Sequence, residues 1–158
     1  MTAAVLTISD SSFIKMRRDE SGPAVKARLE ELGYTVALLQ ILPDERRLIA
    51  SRLMELADSG NYRVLFTTGG TGAALRDVTP EATRDVIERE MPGLPELMRA
   101  SGAKFTPLSY LSRAVAGLRG TTLIVNLPGS PKGAVQSLDA IAHTVPHILR
   151  LLAGNTEH

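Results

Sequence analysis

Apolar runs and helix-period segments alternate along the chain. Ala3-Ala4-Val5-Leu6-Thr7-Ile8 is almost continuously apolar, the pattern of a first strand buried on both faces. A polar loop is expected from Ser9 to Gly22. Pro23 suits the first turn of a helix, where its missing N–H would have had no partner anyway. That helix carries Val25, Leu29 and Leu32, and should stop at Gly33, which enters the left-handed region freely. Tyr34 to Leu42 reads as a second strand, broken by Pro43. Asp44 can cap the next helix, whose apolar stripe is Leu48, Ile49, Leu53, Leu56 and Ala57.

Val64-Leu65-Phe66-Thr67 is a short buried strand that runs straight into Gly69-Gly70-Thr71-Gly72. Thr79 then reads as a cap, with Pro80 at the first helical position. Pro92, Gly93 and Pro95 predict a break, followed by a short helix from Pro95. Ala114 to Leu118 and Thr122 to Asn126 read as two strands joined by a tight turn at Arg119-Gly120. A last helix should start near Ser130-Pro131 and run to about Leu152, kinked at Pro146.

This alternation predicts an α/β architecture with a largely parallel sheet. Three polar or Gly-rich loops each follow a predicted parallel strand: Ser9-Asp10, Thr68 to Asp77, and Pro128-Gly129-Ser130. Ligands of open α/β sheets sit at the carboxyl ends of strands, so these loops should converge on one crevice.

The length of 158 residues fits one domain spanning 1–158. Lys and Arg number 18 against 17 Asp and Glu, a net charge of +1 that supplies no basic footprint for nucleic acid. Six aromatic residues (three Tyr, three Phe, no Trp) make base-stacking platforms unexpected. Without cysteine there are no disulfides, thiolate metal sites or Cys nucleophile. The apolar start is too short for a signal peptide, and no run approaches the ~20 residues of a membrane span. A soluble, cytoplasmic protein is expected.

The strongest motif is Thr67-Thr68-Gly69-Gly70-Thr71-Gly72 followed by Arg76-Asp77. A strand ending in glycines and hydroxyls can aim several backbone N–H groups at an anion. The segment fits neither the P-loop nor the dinucleotide fingerprint; a plain strand-to-helix turn is the alternative. The second motif is Asn126-Leu127-Pro128-Gly129-Ser130-Pro131-Lys132-Gly133, where a helix start and Lys132 would make a phosphate pocket. Simple capping would also produce Ser130-Pro131. Asp44 and Asp77 are the favoured acidic pair, since Mg²⁺ takes one or two carboxylates plus substrate phosphates. Asp10 and Asp19 lie in the first loop, where solvated acids are the commoner case. Lys15, Arg17 and Arg18 read as a solvated loop able to steer an anion. His143 and His147 read as helix packing, and His158 as a frayed end. Ser12-Phe13-Ile14-Lys15 lacks the companion motifs of a Ser-x-x-Lys enzyme.

Taken in order, Thr67 to Gly72, Arg76-Asp77-Val78-Thr79-Pro80-Glu81-Ala82-Thr83 and Asn126 to Lys132 resemble the molybdopterin-binding domain of the MogA/MoaB family. That family includes the gephyrin G domain. Ser9 to Phe13 with Asp19 to Gly22, Leu42 to Glu45, Arg89 to Gly93 and Leu111 to Val115 match as well. The basic loop from Phe13 to Arg18 departs from the bacterial pattern, so no contacts are carried onto it.

The resemblance implies a Rossmann-like three-layer fold with helices on both faces and a small β-hairpin region. It implies a homotrimer that adenylylates molybdopterin with ATP and Mg²⁺, releasing pyrophosphate. The product would then pass to a separate metal-inserting molybdenum transferase. Asp44 and Asp77 would be catalytic, with Mg²⁺ at Asp77. Thr68, Gly69, Gly70, Thr71 and Gly72 would hold substrate with Asn126, Pro128, Gly129, Ser130 and Lys132. Ser9 and Asp10 would line the same crevice. A non-catalytic pterin carrier and a partner-binding scaffold are the alternatives on this fold.

Overall fold

The computed structural model describes residues 1–155, so His158 lies outside the described residues. Strand β1 (Thr2–Ile8) leads through a short helix α1 (Asp10–Phe13) to α2 (Ser21–Glu31), β2 (Thr35–Leu42) and α3 (Arg46–Asp58). Strand β3 (Val64–Thr68) and helix α4 (Thr79–Arg84) follow. The next elements are β4 (Arg89–Glu90), α5 (Gly93–Gly102) and a 3-10 turn (Pro107–Leu111). The chain then forms β5 (Ala116–Arg119), β6 (Thr122–Leu127), α6 (Pro131–Ile141) and α7 (Val145–Leu152).

The strands form one six-stranded sheet in the order β2-β1-β3-β6-β5-β4. β2, β1, β3 and β6 run parallel, while β5 pairs antiparallel with both β6 and β4. The β5–β6 hairpin turns at Gly120, which has φ +52°. Period-two alternation sends successive side chains to opposite faces. Ala3, Val5, Phe66 and Val125 therefore pack in one core with α2, α5, α6 and α7. Ala4, Leu6, Leu65 and Ile124 pack in a second core with α3 and α4. Helices on both faces bury both sides of β1 and β3, which is why these strands read as continuous apolar runs.

Several local expectations need correction. The segment after Ile8 is not all loop, because Ser9 caps α1 by accepting a hydrogen bond from Ser12 N. Asp44 does not cap α3; the cap position belongs to Glu45, which makes no side-chain bond there. Leu48 is exposed (53%), because Ile49, Leu53, Leu56 and Ala57 define the buried stripe and Leu48 lies ~100° around the helix from Ile49. Val78, not Thr79, stands at the cap of α4. Helix α5 begins at Gly93 rather than Pro95, because a proline within the first turn removes no intrahelical bond. The final segment is two helices, not one kinked helix: α6 ends at Ile141 and Pro146 sits in the first turn of α7. A proline deeper in a continuous helix would clash with the carbonyl four residues before it.

Candidate active site

The chain leaves β1 for one side of the sheet, to β2, and returns on the other side of β1 as β3. Ligands of open α/β sheets bind at such a reversal, beyond the carboxyl ends of the strands. The loops after β1, β2, β3 and β6 meet there, as the sequence reading expected for three of them. Gly69 and Gly70 have φ +102° and +65°, values that non-glycine residues rarely adopt. A Cβ on Gly69 would lie 2.3 Å from the Ile8 carbonyl oxygen, so only glycine lets the β3 loop cross the end of β1. Gly69 N donates to Leu127 O (3.1 Å) and Thr68 Oγ1 to Pro128 O (2.6 Å), fastening this loop to the one after β6. Thr79 uses its hydroxyl on Gly69 O (3.0 Å), which is why it does not cap α4.

The two favoured carboxylates stand against this glycine loop. A Cβ on Gly70 would lie 3.1 Å from Asp44 Oδ1, and one on Gly72 would lie 2.7 Å from Asp77 Oδ2. Asp77 also closes a tight turn: its carboxylate accepts from Ala74 N (3.1 Å) and its own N–H donates to Ala74 O (2.9 Å). Asp44 is held by a reciprocal exchange with Asp10. Asp10 N donates to Asp44 Oδ2 (2.8 Å), and Asp44 N donates to Asp10 Oδ1 (2.9 Å). Arg76 clamps Asp10 through two 3.0 Å bonds and reaches Glu45 at 3.2 Å.

These contacts drive the two acids apart in acidity. Burial raises the Asp44 pKa, and the charges of Asp10 and Asp77 add to the rise against the bond from the Asp10–Asp44 exchange. Asp10 is lowered, first by the hydrogen bond from the Asp44 backbone and then by Arg76. Among the described residues no three metal-ligating side chains cluster. A pair of carboxylates plus substrate phosphates nevertheless matches the donor set of Mg²⁺, so Asp44 and Asp77 fit that ion.

Two clefts adjoin along the glycine loop and share Gly70, Asp77, Gly129 and Ser130. The polar cleft, of about 380 Å³, also takes in Ser9, Asp44, Thr68 and Gly69, with Arg17 and Arg18 from the first loop. The second cleft, of about 450 Å³, includes Thr71, Gly72 and Pro128 with Met98, Leu108 and Leu111. Ser130 caps α6 by accepting from Gly133 N (3.1 Å), and Pro131 occupies the first turn as expected.

Three expected site residues take other positions. Asn126 is fully buried: its amide donates to Thr67 Oγ1 (2.9 Å) and Thr83 Oγ1 (2.8 Å) and accepts from Val115 N (3.1 Å). Every bond of that side chain is internal, so it positions the β6 end rather than facing a cleft. Lys132 is exposed and lines neither cleft, although its neighbours Pro131 and Gly133 do. Asp10 also lies outside both linings, occupied by Arg76 and Asp44 N. Asp19 lines the polar cleft, but its carboxylate accepts from Thr7 Oγ1 (2.7 Å) and Gly22 N (3.0 Å) at the start of α2.

Residue roles missed by sequence reasoning are Arg76, Arg113 and Thr83. Arg113 donates to Gly72 O (2.8 Å) and Asp77 O (2.7 Å) and pairs with Glu81, tying the glycine loop to α4. A lone arginine near a 3-10 turn carries no spacing signal for such a staple.

Residues 4–148 match the family model described as probable molybdopterin binding domain. The chain is 41% identical over 153 residues to a molybdopterin adenylyltransferase of Helicobacter pylori, covering 96% of this chain and 87% of that protein. It is 40% identical over 156 residues to the molybdenum cofactor synthesis protein cinnamon of Drosophila melanogaster, covering 98% of this chain but 26% of that longer protein. Its fold is similar to the crystal structure of the molybdopterin biosynthesis enzyme MoaB from Thermus thermophilus. That match has a TM-score of 0.91 at 47% identity and covers 97% of this chain and 96% of the other.

Proposed function

The chain belongs to the family of probable molybdopterin binding domains, and from that premise we propose that it is a molybdopterin adenylyltransferase of molybdenum cofactor biosynthesis. The observation that carries the reading is the placement of Asp44 and Asp77 against one glycine loop, Asp44 in the polar cleft and Asp77 where that cleft meets a more apolar one. The polar cleft suits phosphates. The second cleft, with Met98, Leu108 and Leu111, suits a heteroaromatic ring. The reacting phosphorus then belongs where the clefts meet, beside Gly70, Asp77, Gly129 and Ser130.

The chemistry asks little of side-chain nucleophiles. An oxygen of the molybdopterin terminal phosphate bonds to the α-phosphorus of ATP. The bond from that phosphorus to the bridging oxygen breaks, and pyrophosphate leaves with the electron pair. Both reactants are already anionic, so the protein positions them and balances charge. Asp44 and Asp77 would hold Mg²⁺, which would supply neutralisation of phosphate charge. Backbone N–H groups of the glycine loop and the start of α6 hold the phosphates. The same reading has the protein act as a cytoplasmic homotrimer that hands its product to a metal-inserting protein. Exposed Phe105, Leu108, Tyr110 and Leu111 around the 3-10 turn support association of copies.

The test is anaerobic incubation with molybdopterin, ATP and Mg²⁺, with adenylyl-molybdopterin followed by chromatography. Asp77→Asn should keep the fold and cut turnover by at least ~10²-fold, about 3 kcal/mol of transition-state stabilisation. Near wild-type turnover in folded Asp77→Asn would remove its catalytic role. Pterin binding without any product from the wild type would make the protein a carrier.

A further inference from the structure

The polar cleft presents a charge problem. Asp19, Glu20, Asp44 and Asp77 all line it, yet its proposed ligands are phosphates. Lys132, the cation expected for that task, lies outside. Among the described residues the cationic side chains lining this cleft are Arg17 and Arg18.

Their position is built by the backbone. Helix α1 ends at Phe13 with Ile14 at its C-cap, and Lys15 then takes φ +61°, the one positive φ of a non-glycine residue among those described. A left-handed residue with a Cβ is uncommon and is held only where its surroundings demand it. Here Met16 N (3.0 Å) and Arg17 N (3.2 Å) both donate to Ser11 O, locking the reversal. The chain is thereby folded back so that Arg17 and Arg18, which follow Met16, border the cleft.

Their side chains are also uncommitted. Arg28, Arg46, Arg52, Arg76, Arg113 and Arg119 each form an ion pair, whereas Arg17 and Arg18 have neither an ion pair nor a side-chain hydrogen bond among the described residues. Neighbouring Asp19 forms no ion pair with either of them; its carboxylate accepts from Thr7, Ser21 and Gly22 instead. Guanidinium groups bind phosphate through paired N–H donors, a geometry that lysine lacks.

We propose that Arg17 and Arg18 are the phosphate clamp of this site: two unpaired guanidiniums, carried over the polar cleft by the Lys15 reversal, that seat a substrate phosphate. This assignment rests on the phosphate-transfer reading above. Arg17 and Arg18 are substrate-binding and specificity-determining residues, and they offset the carboxylates that would otherwise repel the ligand.

Isothermal titration of the intact protein with inorganic pyrophosphate and Mg²⁺ tests this, with molybdopterin in a second arm. The variants are Arg17→Gln/Arg18→Gln and Arg17→Lys/Arg18→Lys, each checked by thermal unfolding. Both sites are exposed, so melting should match the wild type. The Gln pair should weaken phosphate binding at least about tenfold and flatten its dependence on ionic strength. The Lys pair should fall between, keeping charge but losing the fork. Loss with pyrophosphate alone assigns the clamp to the nucleotide; loss with molybdopterin alone assigns it to the pterin phosphate. Wild-type affinity in the Gln pair overturns the clamp and leaves the transferase reading standing. Failure of the wild type to bind either ligand overturns both.

Discussion

Replacing Asn126 by alanine separates a structural role from a ligand contact. Its amide makes three internal bonds: two donations, to Thr67 and Thr83, and one acceptance from Val115 N. Asn126, Thr67 and Thr83 are each 0% exposed, so water cannot replace the lost partners. Each lost donation removes about 1 kcal/mol, and the Val115 N–H left buried and unpaired adds about 1–3 kcal/mol. The sum is about 3–5 kcal/mol. A chain of this size loses roughly 2–4 °C of Tm per kcal/mol, so melting should fall by about 6–20 °C. Asn126→Asp keeps the acceptor but loses both donors and buries a carboxylate, so it should rescue nothing. The assay is thermal unfolding, paired with pyrophosphate titration at a temperature where all variants are folded. A Tm within about 2 °C of wild type, with phosphate affinity lost, would refute the reasoning and return Asn126 to the ligand contacts.

Asp44→Asn should raise stability at neutral pH. A carboxyl whose folded pKa is raised binds its proton more tightly folded than unfolded, so stability falls as pH rises through the window from the ordinary aspartate range up to the raised value. The gain from the variant should therefore vanish in acid, and melting curves against pH check it. Asp10 has the opposite sign: its lowered pKa supplies stability above the ordinary range that is lost as pH falls, so Asp10→Asn should lower Tm at neutral pH. Gly69→Ala should cost at least about 2 kcal/mol in urea unfolding, because its Cβ would meet the Ile8 carbonyl oxygen and its φ is positive. Lys132→Ala should leave phosphate affinity unchanged by calorimetry; a clear loss would bring that side chain back to the site.

The parallel sheet was legible because β1, β3 and β6 are buried on both faces, and burial on both faces writes itself as continuous apolar runs. The meeting of the loops followed from the same pattern, since strand ends and glycines mark the crevice. Element starts were less legible. Thr79 and Asp44 carry the chemistry of helix caps, but tertiary partners claim both side chains: Gly69 O takes the hydroxyl, and Asp10 N the carboxylate. Asn126 and Lys132 share one motif but diverge in space. Asn126, on a strand covered on both faces, is buried with internal partners, while Lys132 in the first turn of α6 is exposed. Arg76 and Arg113 act across 66 and 32 residues of sequence, on Asp10 and Glu81, and no local period encodes such distances. Arg17 and Arg18 read as solvated loop because the Lys15 reversal that returns them to the cleft uses no glycine.

The central claim is transfer of an adenylyl group, and the position of an isotopic label tests it most directly. The wild-type protein is incubated anaerobically with molybdopterin, Mg²⁺ and ATP labelled at either the α- or the γ-phosphorus, and products are separated by chromatography. The account predicts α-label in a pterin-containing product and γ-label in pyrophosphate. Label in the pterin product from the γ-position, or none from either, would contradict it.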